Sequence, residues 1–261
     1  NGLTNANKQL QKKTEDLEQY SKELEDVNKE LDSFAFTASH DLKGSLRGIS
    51  TFSQFLLEDY SNKIDDTGKD YLKRIVAGIN RMQNLIDDLL ALSGVSRMKQ
   101  PFEIIDSGKL VKEAIKWFEL TVEERKVKIE VDDDLPFIYC VPAKMKEVFY
   151  NIISNAIKYN DKPDPLIEIG VIAGLNRNTV GQREPVFFIK DNGIGIKSEY
   201  FDKIFMVFRR LHRPEEYGGG TGVGLAIVKK IIDDHKGKIW VESEVGKGTK
   251  FLFSIPSGGK A

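Results

Sequence analysis

The sequence predicts two units of different class. The first is a coiled coil leading into a helical hairpin, which completes a four-helix bundle as a dimer. The second is an α/β two-layer sandwich. Three observations carry this. Leucines stand at 3, 10, 17, 24 and 31, a strict seven-residue spacing. A three-four apolar rhythm then continues as far as Leu90. Beyond Pro101, short apolar runs alternate with amphipathic stretches. A chain of 261 residues has room for two cores.

In the leucine segment a second seam runs through Ala6, Lys13, Tyr20, Val27 and Phe34. The residues between are rich in Glu and Lys, with no proline. This is the pattern of a parallel coiled coil, ~45–50 Å long at about 1.5 Å per residue. A solvated single helix is the alternative. Apolar positions continue at Phe34, Ala38, Leu42, Leu46, Ile49 and Leu56, and the run of fours from 34 to 46 marks a phase shift in the supercoil. His40 falls two residues from both Ala38 and Leu42. At ~100° per residue it points away from that seam, where a core histidine would not sit.

Residues 59–68, "DYSNKIDDTG", form a polar turn. A second amphipathic helix follows through Leu72, Ile75, Ile79, Met82, Ile86 and Leu89. Two helices joined by a short connection make an antiparallel hairpin. One hairpin cannot cover its own wide apolar face, and two in a homodimer can. "SGVSRMKQP", residues 93–101, is small, polar and ends in proline, as a linker does. After it, strands are expected at 127–132, 137–140, 166–172, 186–190, 238–243 and 249–255. Helices are expected at 106–125, 143–158 and 222–235, and 173–184 as a hairpin loop. The domain boundaries expected are 1–33 coiled coil, 34–94 hairpin, 95–101 linker, 102–257 α/β domain and 258–261 tail.

Bulk properties narrow the function. Lys and Arg number 39 against 40 Asp and Glu, a net charge of −1. That balance gives no footprint for nucleic acid. No apolar run approaches the ~20 residues of a membrane span. The single cysteine, Cys140, excludes an intrachain disulfide framework and suits a reducing compartment. A cytoplasmic location is expected, as a free protein or as the cytoplasmic part of a larger or membrane-bound one. The chain opens on Asn1 rather than Met, so it is expected to be a fragment whose upstream part is missing.

Four stretches carry chemistry. In "NIISNAIKYN", residues 151–160, Asn151, Asn155, Lys158 and Tyr159 form a polar stripe behind which Val148, Phe149, Ile152, Ile153 and Ala156 face the core. Amide oxygens suit Mg²⁺ and lysine suits phosphate. An ordinary helix with exposed asparagines has the same pattern. In "FFIKDNGIGI", residues 187–196, an apolar strand ends at Asp191 and enters a loop with Gly193 and Gly195. A buried carboxylate there can accept an exocyclic amine, and a plain strand exit is the bland reading. In "YGGGTGVGLAIVKKII", residues 217–232, glycines including Gly220, Gly222 and Gly224, with Thr221 and Leu225, lead into an apolar helix. Backbone N–H groups at such a helix start hold phosphates. It fits neither a dinucleotide-binding nor a P-loop pattern. "GKGTKFLF", residues 246–253, sets Thr249 before a last strand.

Taken together and in this order, these stretches resemble the ATP-binding domain of sensor histidine kinases, the fold shared with gyrase and MutL. "FDKIFMVF", residues 201–208, is similar to the family's phenylalanine box, and "SHDLKGSLRGI" to its phosphoacceptor box, of the phytochrome-like or hybrid type. The resemblance runs from about Phe34 to Ile255, and 1–33 is similar to the signalling helix that links an upstream sensor domain, absent from this chain, to such kinases. It implies ATP-dependent phosphorylation of His40, with Asp41 as the adjacent acid. It implies Mg²⁺ on Asn155, helped by Asn151, and phosphate contacts from Lys158 and Tyr159. Adenine would be read by Asp191, with Gly193, Gly195 and Thr249 around it. Residues 198–221 would form a mobile lid anchored by Phe205 and Phe208, with Arg209 or Arg210 at the γ-phosphate. The phosphoryl group would pass to an aspartate on a response regulator. His40 and Asp41, as helix neighbours, are expected to need a rearrangement to meet.

Two departures stand out. The family's proline five residues after the histidine is Ser45 here, so a straighter helix is expected. The Thr or Asn used by relatives for regulator dephosphorylation is Gly44, so that activity is expected to be weak. Gly44 and Gly48 form either a bending point or a site of close helix packing. His212 is placed in the lid, and His235 at a helix end where a cation would complement the dipole. Two other classes compete: a family member that binds ATP without transferring phosphate, and a non-kinase ATPase of the shared fold. The His-Asp pair opposes the first, and the acceptor hairpin opposes the second.

Overall fold

The computed structural model describes residues 2–93, 101–172, 185–211, 216–217 and 220–256. The expected hairpin loop at 173–184, most of the linker, His212 and the tail lie outside them. The chain divides into two units, Asn1–Met98 and Lys99–Ala261.

The first unit is two helices, α1 (Gly2–Asp59) and α2 (Asp66–Ser93). α1 runs without a break from the heptad segment through His40. Asp65 Oδ1 accepts the Gly68 N–H at 2.7 Å at the start of α2, satisfying a first-turn donor. The single apolar seam expected on α1 resolves into two. Ser39, Leu46 and Ser53, seven residues apart, are buried. Leu46 packs with Ile79, Ile86 and Leu90 of α2. Phe34, Leu42, Ile49 and Leu56 instead stay exposed within the single chain, as do Leu17, Tyr20, Leu24 and Val27. The helix continues through Ser45. Its N–H is retained where proline would have none, and its Oγ donates to Asp41 O at 3.1 Å. A Cβ added at Gly44 or Gly48 would meet nothing within 4 Å in this chain.

The second unit opens with strand β1 (Glu103–Asp106), which pairs antiparallel with β3 (Phe137–Cys140). The helix expected over 106–125 is two, α3 (Ser107–Lys116) and α4 (Glu119–Arg125). The break falls at Trp117 and Phe118, where Phe118 stacks on Tyr150 with ring centroids 4.9 Å apart. Strands β2 (Lys128–Val131), β4 (Leu166–Val171), β5 (Val186–Asp191), β6 (Lys238–Glu244) and β7 (Gly248–Ser254) form a five-stranded sheet in the order β2-β4-β5-β7-β6. β2 and β4 are parallel and the other pairs antiparallel.

Helices α5 (Pro142–Lys158) and α6 (Gly224–Asp234) complete the sandwich with α3. α5 buries Met145, Val148, Phe149, Ile152, Ile153, Ala156 and Ile157, the three-four stripe of one helix face. Phe149 sets its ring edge against Phe187 of β5 and Phe253 of β7, at 5.9 and 5.6 Å, while those two stack on each other. Along β5, Phe187, Ile189 and Asp191 are all buried. Successive strand side chains alternate faces, so Asp191 is carried onto the apolar face by its register. This places a carboxylate at the end of a hydrophobic strand and under the helices.

Candidate functional site

In the first unit, His40 and Asp41 are both outward, with side chains 79% and 76% exposed. His40 Nδ1 lies 3.3 Å from Asp41 Oδ1. The expectation that helix neighbours need a rearrangement to meet is corrected. The Cβ atoms diverge by ~100°, but the ring nitrogen and carboxylate oxygen close that gap with a long hydrogen bond. One turn on, Lys43 is ion-paired to Asp87 of α2, tying the helix faces together beside the histidine.

In the second unit, one cleft is lined by Asn155, Tyr159, Asp191, Gly195, Arg209, Arg210, Gly222, Gly224, Leu225 and Thr249 among the residues singled out from sequence. The cleft opens to solvent and sets a few polar groups around an apolar wall, the make-up of a small-molecule site. Sequence reasoning missed Ile194, Ile196, Ile204, Leu211 and Phe251, which give the cleft an apolar floor suited to a flat ring. The signal was present in the alternation of Ile with Gly over 193–196.

Asp191 is the electrostatic centre. Burial pushes its carboxyl up to about 6, although the N–H groups of Gly193 and Thr249 favour the ionised form. They donate to Asp191 Oδ1 at 2.8 and 3.3 Å. The loop after it is held by Asn192. Its Oδ1 accepts from Leu166 N and from Asn160 Nδ2, and its Nδ2 donates to Asp164 O. Gly195 has φ 72°, a left-handed conformation that disfavours a side chain.

Other predicted residues flank the cleft. Asn151 donates from Nδ2 to Glu147 O, leaving its Oδ1 toward Gly224. A Cβ at Gly224 would sit 2.6 Å from that oxygen, so the helix start approaches closely only as glycine. Lys158 Nζ lies 4.8 Å from the Tyr159 ring centroid and faces Gly220. Thr221 is half-buried beside it. The phenylalanine-box expectation needs correction: Ile204 is the buried anchor, Phe205 is half-buried, and Phe208 is exposed with φ 61°.

His235 is also corrected. It is no exposed cation at a helix end. It is 8% exposed, and burial lowers its basicity. Val141 N–H donates to its Nε2 at 3.1 Å.

Comparison with known proteins assigns both units. Residues 140–259 match the family described as histidine kinase-, DNA gyrase B- and HSP90-like ATPase. The second unit is therefore an ATP-binding domain of that class. Residues 30–95 match the His Kinase A phospho-acceptor domain. Carrying both in this order, the chain belongs to the histidine kinase family. It is 45% identical over 94% of its length to cyanobacterial phytochrome B of Nostoc sp., and 38% identical over 95% to the phytochrome-like protein Cph1 of Synechocystis sp.. The chain spans 32% of each of those two proteins. A solved structure of the Acinetobacter baumannii histidine kinase AdeS is 25% identical, with TM-score 0.57, covering 82% of this chain and 98% of that one. Full-length ShkA in complex with AMPPNP shares the fold at TM-score 0.65 and 21% identity, covering 85% of this chain and 45% of that one.

Proposed function

We propose that this chain is the catalytic core of a sensor kinase that phosphorylates His40 from ATP within a homodimer. It then passes the phosphoryl group to an aspartate of a separate response regulator. The observation that carries this is the exposed His40 ring with Nδ1 on the Asp41 carboxylate. A carboxylate only accepts, so Nδ1 holds the proton and the Nε2 lone pair is free to attack. The Nε2–phosphorus bond forms as the bond from the γ-phosphorus to the bridging oxygen breaks, and ADP leaves with that electron pair. The ring becomes cationic during attack. Asp41 stabilises that charge and takes the Nδ1 proton afterwards.

In the ATP-binding domain, Asp191 accepts the adenine amine, with Gly193, Gly195 and Thr249 around the ring. Lys158 and Tyr159, with backbone N–H groups from Gly220 to Leu225, hold the phosphates. Phe208 and Arg209 belong to the lid expected over 198–221, of which 212–215 and 218–219 lie outside the described residues, with Arg209 or Arg210 reaching the γ-phosphate. Among the described residues no group of three or more His, Cys, Asp and Glu side chains could hold a metal alone. The amide oxygens of Asn155 and Asn151, shared with nucleotide phosphates, are a donor set that fits Mg²⁺. Mg²⁺ would supply charge neutralisation on those phosphates.

The exposed apolar stripe of α1 supports the homodimer, since a second copy would cover it. No described helix is long and apolar enough to cross a membrane. An upstream sensor would act through the unbroken α1. Gly44 supplies no side chain to position water, so regulator phosphatase activity is weak by that route. Incubation with radiolabelled ATP tests the reading. An acid-labile, alkali-stable label is expected on the wild type, lost in both His40→Gln and Asn155→Ala. A label that survives in His40→Gln overturns it.

A further inference from the structure

We propose that His235 is a positioning residue of the nucleotide site, whose imidazole fixes the axial register of α5 against α6. The inference rests on the nucleotide reading above. Both helices carry site residues: Asn151, Asn155 and Lys158 lie along α5, and α6 begins at Gly224 and Leu225. His235 lies at the opposite end of α6 and bridges to the opposite end of α5.

The bridge is defined by two hydrogen bonds. Val141 N–H donates to Nε2 at 3.1 Å, and Nδ1 lies 2.7 Å from Ile231 O. A backbone N–H only donates and a carbonyl only accepts, so Nδ1 carries the proton and Nε2 is bare. The ring thus uses both nitrogens on backbone groups of two different helices. Val141 is the residue that caps α5, and its own side chain makes no capping hydrogen bond. His235 instead takes up Val141's own N–H, one of the unpaired donors at the helix start, from across the fold. The Phe102 ring, 5.0 Å away, packs against the imidazole and limits its orientation.

A register set at one end matters because the other end has no slack. Asn151 Oδ1 already occupies the space beside the Gly224 backbone. One residue of helix is about 1.5 Å of rise, so even a partial slip of α6 along α5 would drive the backbone into that amide or withdraw it. His235 holds the helix pair at the spacing where Asn151 meets the α6 start and Asn155, Gly224 and Leu225 line one cleft.

The test uses the full chain and a non-hydrolysable ATP analogue, at a temperature where near-ultraviolet circular dichroism shows every variant folded. His235→Phe keeps the ring and its packing on Phe102 but has neither nitrogen. We expect its Kd to weaken about tenfold, equivalent to about 1.4 kcal/mol. His235→Gln keeps a donor and an acceptor and should stay within about threefold of wild type. A residue that only stabilises the fold would lower Tm and leave Kd untouched under these conditions. A wild-type Kd in His235→Phe therefore overturns the inference, as does a His235→Gln variant as weak as His235→Phe. Should His235→Phe not fold, ¹⁵N NMR of the wild type decides: a bare, pyridine-type Nε2 coupled to the Val141 amide is expected, and a protonated Nε2 overturns it. Failure of the wild type itself to bind the analogue would be a different result, against the nucleotide reading.

Discussion

His40 Nδ1 and Asp41 Oδ1 stand 3.3 Å apart on a helix face where both side chains are open to solvent. The pair has a defined division of labour: the acid holds one ring nitrogen and leaves the other available. Asp41→Asn keeps an acceptor oxygen but removes the charge that, on the proposed mechanism, stabilises the developing cation and receives the proton. Phosphorylation of His40 should slow by roughly 10²–10⁴-fold, the usual size of a general-base contribution. Binding of an ATP analogue, measured calorimetrically, should not change, because the acid belongs to the other unit. A loss of less than a few-fold in rate would remove Asp41 from the chemistry.

Asp191 makes a prediction with two opposite signs. Folding raises its pKa from 3.8 to about 6, chiefly by burial. The native state therefore holds this proton more tightly than the unfolded chain. The stability it contributes is fully present below pH 3.8 and is lost as pH rises through about 6. At neutral pH the nucleotide-free protein carries a buried charge, a penalty of at most about 3 kcal/mol. Asp191→Asn retains an oxygen for the Gly193 and Thr249 N–H groups without that charge. Its Tm should rise at about pH 8, while its affinity for nucleotide should fall about ten- to hundredfold. Wild-type affinity should weaken as pH drops below about 6, and the variant should be flat there. A variant with both lower Tm and wild-type affinity would refute both halves.

What could be read from the sequence followed from local pattern. The buried stripe of α5 and the polar stripe behind it came directly from a three-four period, and Asp191 from its place at the end of an apolar strand. What escaped depended on distant partners. β1 is four residues, Glu-Ile-Ile-Asp, with no turn signal of its own, and exists because β3 pairs with it. Trp117 and Phe118 interrupt a continuous helical pattern without glycine or proline, at the point where Phe118 finds Tyr150. His235 looked like a helix-end cation because its partner, Val141, lies 94 residues away. The split of the α1 seam was hidden for the same reason: periodicity shows an apolar face but not which of two neighbours covers it.

α1 is helical from Gly2 to Asp59, so the heptad segment and His40 share one rigid element. Inserting one residue near Glu18 rotates everything upstream by ~100° relative to the histidine, whereas inserting seven restores the face to within ~20°. Fused downstream of a sensor domain, the chain with the single insertion should show strongly changed signal-dependent phosphorylation of His40, and with the seven-residue insertion weakly changed. Equal effects of the two would exclude signalling by rotation or register along this helix.

Gly44 and Gly48 lie one turn apart, directly after the reactive pair, with open space around both in this chain. Each costs about 1 kcal/mol of helix stability relative to alanine, so replacing both should stabilise the first unit by about 2 kcal/mol if nothing packs there. If α1 must bend beside His40, these two positions are where its helix propensity is weakest. On that account the double Ala variant has a higher Tm and a slower phosphorylation rate, with unchanged nucleotide affinity. A higher Tm with unchanged kinetics would show that the softness is not used. A lower Tm would show instead that a helix of the second protomer comes close enough to require glycine, and the pair would be a packing site of the dimer rather than a bend.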